Sequence, residues 1–395
     1  MHLLTLATLL SWLIALVWIF FTLSALRNLP GVPTLHPAQP EAASEPGPPQ
    51  VTVIVPARNE AQSIEQTLRS LLAQTIPVDV IAVDDRSTDA TGAIMDRVAA
   101  EARAAGKPLR VLHIDTLPDG WMGKTHAMAR AARQAATPWL LFTDGDILYR
   151  ADTLALALRF AAEQPADHLV LMPTMIVKTA GERMMIAVIQ ALSLLTWKPW
   201  RIADPKAKRD SIGVGAFNLV RAEVYRAVGG FEAQRMEVLE DLRFGFEIKR
   251  AGYRQRFVFG RGLIQVHWAS SALGLVRNLT KNVFAVFHFS ALRLLGACAA
   301  LGLLCLAPLA ELFGPVTMHA AGLISLFMLW LLYREAGRRM SGISSLYFFT
   351  LPVAAVLIVY SMIRSMVVTL AQGGVVWRGT FYPLRELKKH AGPLR

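Results

Sequence analysis

The chain has 395 residues, a formal net charge of +12 and 54% hydrophobic against 18% charged residues, with a mean hydropathy of +0.39. That balance excludes an ordinary soluble protein. The only two cysteines, Cys298 and Cys305, exclude a disulfide framework or a four-ligand zinc site. The basic residues flank apolar segments and dot the middle of the chain, which fits the cytoplasmic-face bias of membrane proteins and argues against a nucleic-acid partner.

Leu3 to Leu26 is an apolar run without a charge, long enough to span a bilayer. No basic residue precedes it and it exceeds the apolar core of a signal peptide, so we read it as a membrane helix within 1–29. Arg27 follows directly and places the next segment in the cytoplasm. Residues 30–50, rich in Pro, Ala and Glu, read as a semi-extended linker.

From Val51 the pattern alternates between strand and helix. Val51-Thr52-Val53-Ile54-Val55, ending in Pro56, has the β-branched density of a buried strand. Ile64, Leu68, Leu71 and Leu72 mark a helix between Ala61 and Gln74. Val78 to Val83 is a second strand, followed by Asp84-Asp85-Arg86-Ser87-Thr88-Asp89 and a helix reaching about Ala105. Leu109 to Ile114 predicts a third strand, His126 to Ala136 a helix, and Pro138 to Thr143 a fourth strand. Strands separated by helices imply an open, mostly parallel α/β sheet that takes ligands at the carboxyl ends of its strands. The polar clusters fall at those ends. This soluble-type region extends over 51–270. Within 271–395, three apolar runs, Leu292 to Phe313, Val316 to Tyr333 and Leu346 to Leu370, are each long enough to cross a bilayer. Arg364 is the charge that interrupts the last. Three crossings would leave the basic tail (Arg378, Arg385, Lys388, Lys389, Arg395) outside, against the charge bias, so one segment is expected to be re-entrant or interfacial.

Asp144-Gly145-Asp146 directly follows the apolar run Trp139-Leu140-Leu141-Phe142. Two carboxylates one residue apart at the end of a buried strand project together into a cleft and can hold a hard divalent cation, although the tripeptide alone is also a common turn. Glu240-Asp241 supplies a second acidic pair from a distant segment, and such a carboxylate can act as a base beside the metal. Asp89, before Ala90-Thr91-Gly92, suits a helix cap. His126, His267 and His288 are isolated and lack metal-ligand spacing.

Val53-Ile54-Val55-Pro56-Ala57-Arg58-Asn59-Glu60, Val83-Asp84-Asp85-Arg86-Ser87-Thr88-Asp89, Asp144-Gly145-Asp146, and Gly229-Gly230-Phe231 followed by Glu240-Asp241 run in order across about half the chain. Together they resemble the motifs of family 2 glycosyltransferases with the GT-A fold. The resemblance implies an α/β GT-A catalytic domain, with a Rossmann-like open sheet, flanked by transmembrane helices. It implies a nucleotide-diphosphate sugar donor, UDP-linked, held by Pro56, Ala57, Arg58, Glu60 and Asp85, with Asp85 accepting from the base. Asp144 and Asp146 would hold Mg²⁺ or Mn²⁺ between the phosphates. Asp241 would be the general base of an inverting transfer, with Glu240 tuning its pKa.

Gly120-Trp121-Met122-Gly123-Lys124 is similar to a pattern of the branch that acts on carotenoids, hopanoids and ceramide. There Lys124 would pair with phosphate at a helix start. Trp377-Arg378-Gly379-Thr380-Phe381-Tyr382 also resembles a motif of that branch. In it Arg378 either reaches the diphosphate or, as the favoured expectation, anchors the membrane interface with Trp377 and Tyr382. Leu275 to Asn282 lacks the Gln-x-x-Arg-Trp motif of processive polysaccharide synthases, which favours single transfer to a lipid hydroxyl. The expectation is therefore a multi-pass enzyme of the cell membrane with a cytoplasmic catalytic domain and a lipid acceptor. A processive synthase and a non-catalytic nucleotide-binding scaffold are the alternatives.

Overall fold

The computed structural model describes residues 2–36 and 49–392; most of the 30–50 linker, and Arg395, lie outside them. The first apolar run forms α1 (His2–Asn28). There follow β1 (Val51–Ala57), α2 (Ile64–Leu72), β2 (Asp79–Asp85), α3 (Thr91–Ala104), β3 (Leu109–Ile114), α4 (Gly123–Ala132) and β4 (Trp139–Phe142). Next come β5 (Ile147–Tyr149), α5 (Thr153–Glu163), β6 (His168–Met172), β7 (Thr174–Met175), α6 (Ala180–Thr196), β8 (Asn218–Arg221), α7 (Ala222–Ala227), α8 (Glu240–Arg250), β9 (Gln255–Phe259) and β10 (Ile264–Val266). The remainder is α9 (Ala272–Thr280), α10 (Val283–Val286), α11 (Ala291–Glu311), α12 (Val316–Ala336), α13 (Leu351–Gln372), β11 (Gly374–Trp377), β12 (Thr380–Pro383) and α14 (Leu384–His390).

Two compact units result. One comprises Pro33–Thr174, Arg201–Val266 and Val376–Arg395; the other comprises Met1–Val32, Met175–Trp200 and His267–Val375. The sequence suggested a division near residue 270. The structure differs from it at two places. The α6 segment joins the apolar unit, and the tail after Val375 joins the sheet.

The sheet unit is built on seven strands in the order β3-β2-β1-β4-β8-β6-β9. β3, β2, β1 and β4 are mutually parallel, as the alternating pattern predicts. β8 runs antiparallel to both of its neighbours, so the sheet is mixed. β1 is buried along its whole length, which is why it is mostly β-branched and apolar without alternation, Thr52 being its one polar residue. Because β1, β2 and β4 are adjacent and parallel, Ala57, Asp85 and Phe142 end at one edge of the sheet. Antiparallel β8 pairs its first residue, Asn218, with Phe142, and so brings the loop before it to that same edge.

An aromatic cluster fixes α8 beneath that edge. Phe142, Phe231 and Phe244 are fully buried, with Phe142 and Phe231 centroids 4.9 Å apart and Phe231 and Phe244 5.0 Å apart. Phe244 lies one turn along α8 from Glu240 and Asp241, so the core contact sets the position of both acids. Truncating such a side chain costs about 3–5 kcal/mol.

In the other unit, four helical segments among the described residues are long and apolar enough to cross a membrane: Leu4–Gly31, Ala291–Glu311, Val316–Ser341 and Ser345–Gln372. They match the four apolar runs read from the sequence. α6 opens on a capping box in which Thr179 and Glu182 satisfy each other's backbone N–H groups. The buried Glu182 also accepts from His267 at 3.1 Å, which accounts for that histidine as a structural partner.

Candidate active site

The two acidic motifs, distant in sequence, are joined by one lysine. Lys124, in the first turn of α4, places Nζ 2.5 Å from Asp144 Oδ1 and 2.7 Å from Glu240 Oε1. Burial would depress the pKa of Lys124, but Asp144, Glu240 and Asp241 outweigh it and raise the value, so the side chain is an ammonium at any physiological pH. Glu240 is only 5% exposed, and an unpaired carboxylate there would be costly.

Asp241 is held by backbone donors on both oxygens. Gly215 N–H donates to Oδ2 at 2.9 Å and Leu242 N–H to Oδ1 at 2.8 Å. Burial, then the neighbouring Glu240, push its pKa up to about 7, with Lys124 opposing. A carboxyl poised near neutrality can accept a proton from a hydroxyl at physiological pH.

This arrangement depends on glycines that the sequence analysis did not single out. A Cβ on Gly213 would lie 1.7 Å from Asp241 O, and one on Gly245 would lie 1.9 Å from Ile212 O. The loop before β8 therefore touches α8 backbone to backbone. A Cβ on Gly215 would meet Asp144 Oδ2 at 2.6 Å and Lys124 Nζ at 3.2 Å. The signal was present as two glycines one residue apart, Gly213-Val214-Gly215, just before a strand.

Asp146 lies across Gly145 from Asp144. Burial first, then Asp144 and Glu60, raise its pKa to about 7. That crowding of negative charge matches a place where a cation belongs. Among the described residues no group of three or more His, Cys, Asp or Glu surrounds a common metal position. Two carboxylates nonetheless fit Mg²⁺ or Mn²⁺, which take one or two protein carboxylates and complete their shell with phosphate and water.

The predicted nucleotide-binding residues surround the ends of β1 and β2. Pro56 and Ala57 are buried at the end of β1. Asn59 sits at φ 56°, and its Oδ1 accepts from Thr88 N–H at 2.8 Å, tying the loop after β1 to the loop after β2. Asp89 accepts from Thr91 N–H at 3.0 Å, but the N-cap of α3 is Ala90, which carries no side-chain cap, so Asp89 stands one residue before the capping position expected for it from the sequence. Asp85 is buried, and both of its oxygens are engaged by Arg86, at 2.7 and 3.0 Å.

The C-terminal motif belongs to this loop and not to the interface anchor favoured from the sequence. Arg378 pairs with Glu60 and donates to Arg58 O. Arg58 Nη1 donates to Thr380 Oγ1 at 3.0 Å, and Gly123 N–H donates to the buried Tyr382 Oη at 3.1 Å. Arg378 and Gly379 are consecutive at positive φ, 47° and 77°, the geometry of a two-residue hairpin turn between β11 and β12. His126, also buried, has its Nδ1 without a hydrogen-bond partner and its ring edge-on to Trp121; burial lowers its pKa, so it is neutral.

Residues 52–229 match the model of Glycosyl transferase family 2. The 4,4'-diaponeurosporenoate glycosyltransferase of Staphylococcus aureus (strain MRSA252) is 28% identical over 197 residues, which is 49% of this chain and 50% of that protein. The protein of the same name from strain USA300 matches to the same extent. The chain thus spans about half the length of the curated relatives it matches. A mannosyltransferase from Pyrobaculum calidifontis, solved with GDP-Man and Mn2+, shares the fold with a TM-score of 0.55 at 21% identity, covering 93% of this chain and 99% of that one.

Proposed function

We propose that the chain is a membrane-bound inverting glycosyltransferase of family 2 with a GT-A sheet, which transfers a hexose from a nucleotide-diphosphate sugar, UDP-linked, to a lipid hydroxyl. The match of residues 52–229 to the family model and the fold shared with a solved mannosyltransferase support this. The observation that carries this reading is the Lys124 bridge, which gathers Asp144 and Glu240 with Asp241 at the carboxyl edge of the sheet. The loops around Pro56, Ala57, Arg58, Glu60 and Asp85 take the nucleoside. Lys124, at a helix start where backbone N–H groups favour anions, faces the diphosphate. Asp144 and Asp146 would hold Mg²⁺ or Mn²⁺, which supplies neutralisation of the charge growing on the leaving diphosphate.

Asp241 removes the acceptor proton as the hydroxyl oxygen attacks the anomeric carbon from the face opposite the nucleotide. The glycosidic bond to the diphosphate breaks, and configuration inverts. Backbone bonds from Gly215 and Leu242 fix the Asp241 carboxylate, leaving its remaining lone pairs for that proton. The four apolar helices support an acceptor delivered from the bilayer. The curated relatives, named as diaponeurosporenoate glycosyltransferases, support a lipid-type acceptor.

The test is nucleotide release by the full chain in detergent with UDP- and GDP-hexoses, Mg²⁺ or Mn²⁺, and a membrane lipid extract. Release that needs lipid, metal and Asp241 supports the assignment. Equal release by Asp241→Asn, or full release without lipid, would overturn it.

A further inference from the structure

Resting on the membrane part of that reading, we propose that only α1, α11 and α12 cross the bilayer. α13 lies in the plane of the cytoplasmic leaflet, with one face against its acyl chains. The directions of the three crossing helices are fixed by side-chain contacts. Thr8 and Thr317 hydroxyls are 3.2 Å apart, and Thr22 donates to Met328 O at 3.3 Å, so α1 and α12 run parallel. α11 and α12 form an antiparallel hairpin in which Gly322 admits Pro308 O, 2.9 Å from where a Cβ would stand. One end of this bundle therefore collects the start of α1, the end of α11 and the start of α12. The other collects Asn28, Ala291 and Ser341, and there the chain leaves for the sheet unit after Val32 and re-enters at His267.

α13 stays within the half of the bundle nearest that second end. Just before it, Phe348 packs against Tyr333 with ring centroids 5.7 Å apart. Met362 Sδ is 3.9 Å from Cys298 Sγ. Ser365 donates to Thr280 O at 2.6 Å and accepts from Phe284 N–H at 3.0 Å. At 1.5 Å per residue, Tyr333 lies about 5 Å from the end of α12 and Cys298 about 10 Å from the start of α11, and Thr280 and Phe284 precede α11 altogether.

Three further observations agree. First, the residues after Val375 belong to the sheet unit, held by Arg378 on Glu60 and Tyr382 on Gly123. A chain that leaves that unit at Val266 and rejoins it at Val376 has crossed an even number of times. α11 and α12 supply two crossings, and a third by α13 would strand the tail on the opposite side.

Second, α13 has two faces. Val353, Val356, Tyr360, Ile363, Val367 and Leu370 recur at three- and four-residue spacing and are 37–58% exposed, while Leu351, Ala354, Ala355, Met362, Ser365 and Thr369 are buried. An exposed stripe that is apolar along the whole helix belongs against acyl chains. Third, a spanning α13 would carry Arg364 near the bilayer centre, whereas an in-plane helix lets its guanidinium reach the headgroups. Arg27, Arg277, Lys281, Arg293, Arg334 and Arg338 cluster at the near end. The far end, around residues 2–12 and 311–320, has no Lys or Arg, which assigns the near end to the cytoplasm.

The test uses the full chain in native membranes, with Cys298 and Cys305 replaced by alanine. Single cysteines at Phe313, Ser344 and Ala391 are treated with a membrane-impermeant maleimide from outside. Labelling only at Phe313, with the other two reacting after permeabilisation, is expected. Labelling of Ala391 or Ser344 from outside, or none at Phe313, overturns the topology. Nitroxides at Val353, Tyr360 and Val367 then report depth by collision with oxygen and a water-soluble nickel chelate. Equal depths are expected; a spanning helix would separate the outer two by about 20 Å. Spin–spin broadening with protection from both reagents would mean that a second copy covers the stripe, and would overturn the lipid assignment. Neither readout depends on turnover, so an inactive protein with these labels leaves the topology standing.

Discussion

The carboxylate of Glu60, in the loop after the first strand, is paired with the guanidinium of Arg378, 318 residues further along the chain. The same guanidinium donates to Arg58 O, so the C-terminal hairpin fastens the loop assigned to the nucleotide. Arg378→Ala and Glu60→Gln should each raise the donor KM about fivefold, the worth of one partly exposed, well-directed ion pair. The double variant should be little worse than either single one. An unmoved KM would reduce the hairpin to a passive fastening.

Lys124→Met removes the cation shared by Asp144 and Glu240. It should abolish measurable transfer and lower the thermal midpoint, because it leaves the buried Glu240 carboxylate without its cation. Lys124→Arg keeps the charge without the geometry and should recover the midpoint more than the activity. A Lys124→Met protein with normal turnover would remove this residue from the site.

The pH profile should report Asp241. Its proton affinity is raised, to about 7, so the base is charged above that pH and protonated below it. kcat/KM should therefore fall about tenfold per unit as pH drops beneath 7. Asp241→Asn should lose that limb and about 10²–10⁴ of the rate while donor binding persists. A retained acid limb in the variant would assign the base elsewhere.

Asp144→Ala should eliminate the gain in UDP affinity given by Mn²⁺ in calorimetric titration. Unchanged metal-dependent affinity would rule out the Asp144 and Asp146 pair as its ligands.

Gly215→Ala tests the packing of the site rather than its chemistry. The added methyl would stand 2.6 Å from Asp144 Oδ2 and displace it from Lys124. We expect at least a tenfold loss of turnover with circular dichroism and thermal midpoint close to the parent; full activity would show that Asp144 has room to move.

The sequence by itself determined the elements and the chemistry available to them. Val51 to Val55 reads as an interior strand, because every side chain is β-branched and all but Thr52, whose hydroxyl bonds Asp79 and Thr137, are apolar. Acids placed just after such strands arrive at a sheet edge by continuity, which made Asp85, Asp144 and Asp146 legible as a group. The apolar runs likewise announced four membrane-length helices. Only the tertiary structure decided which of these pieces meet. Periodicity records the face a residue buries but not the partner it buries against. Hence neither the Lys124 bridge nor the Glu60–Arg378 pair could be read from spacing. The reversal of β8, which brings the preceding loop with Gly213 and Gly215 to the site, is set by its antiparallel pairing with β4 and β6. α13 has the length and hydropathy of a crossing helix, two properties that a spanning and an in-plane helix share. What separates them is where Met362 and Ser365 find their contacts, and that is a property of the packed helices together.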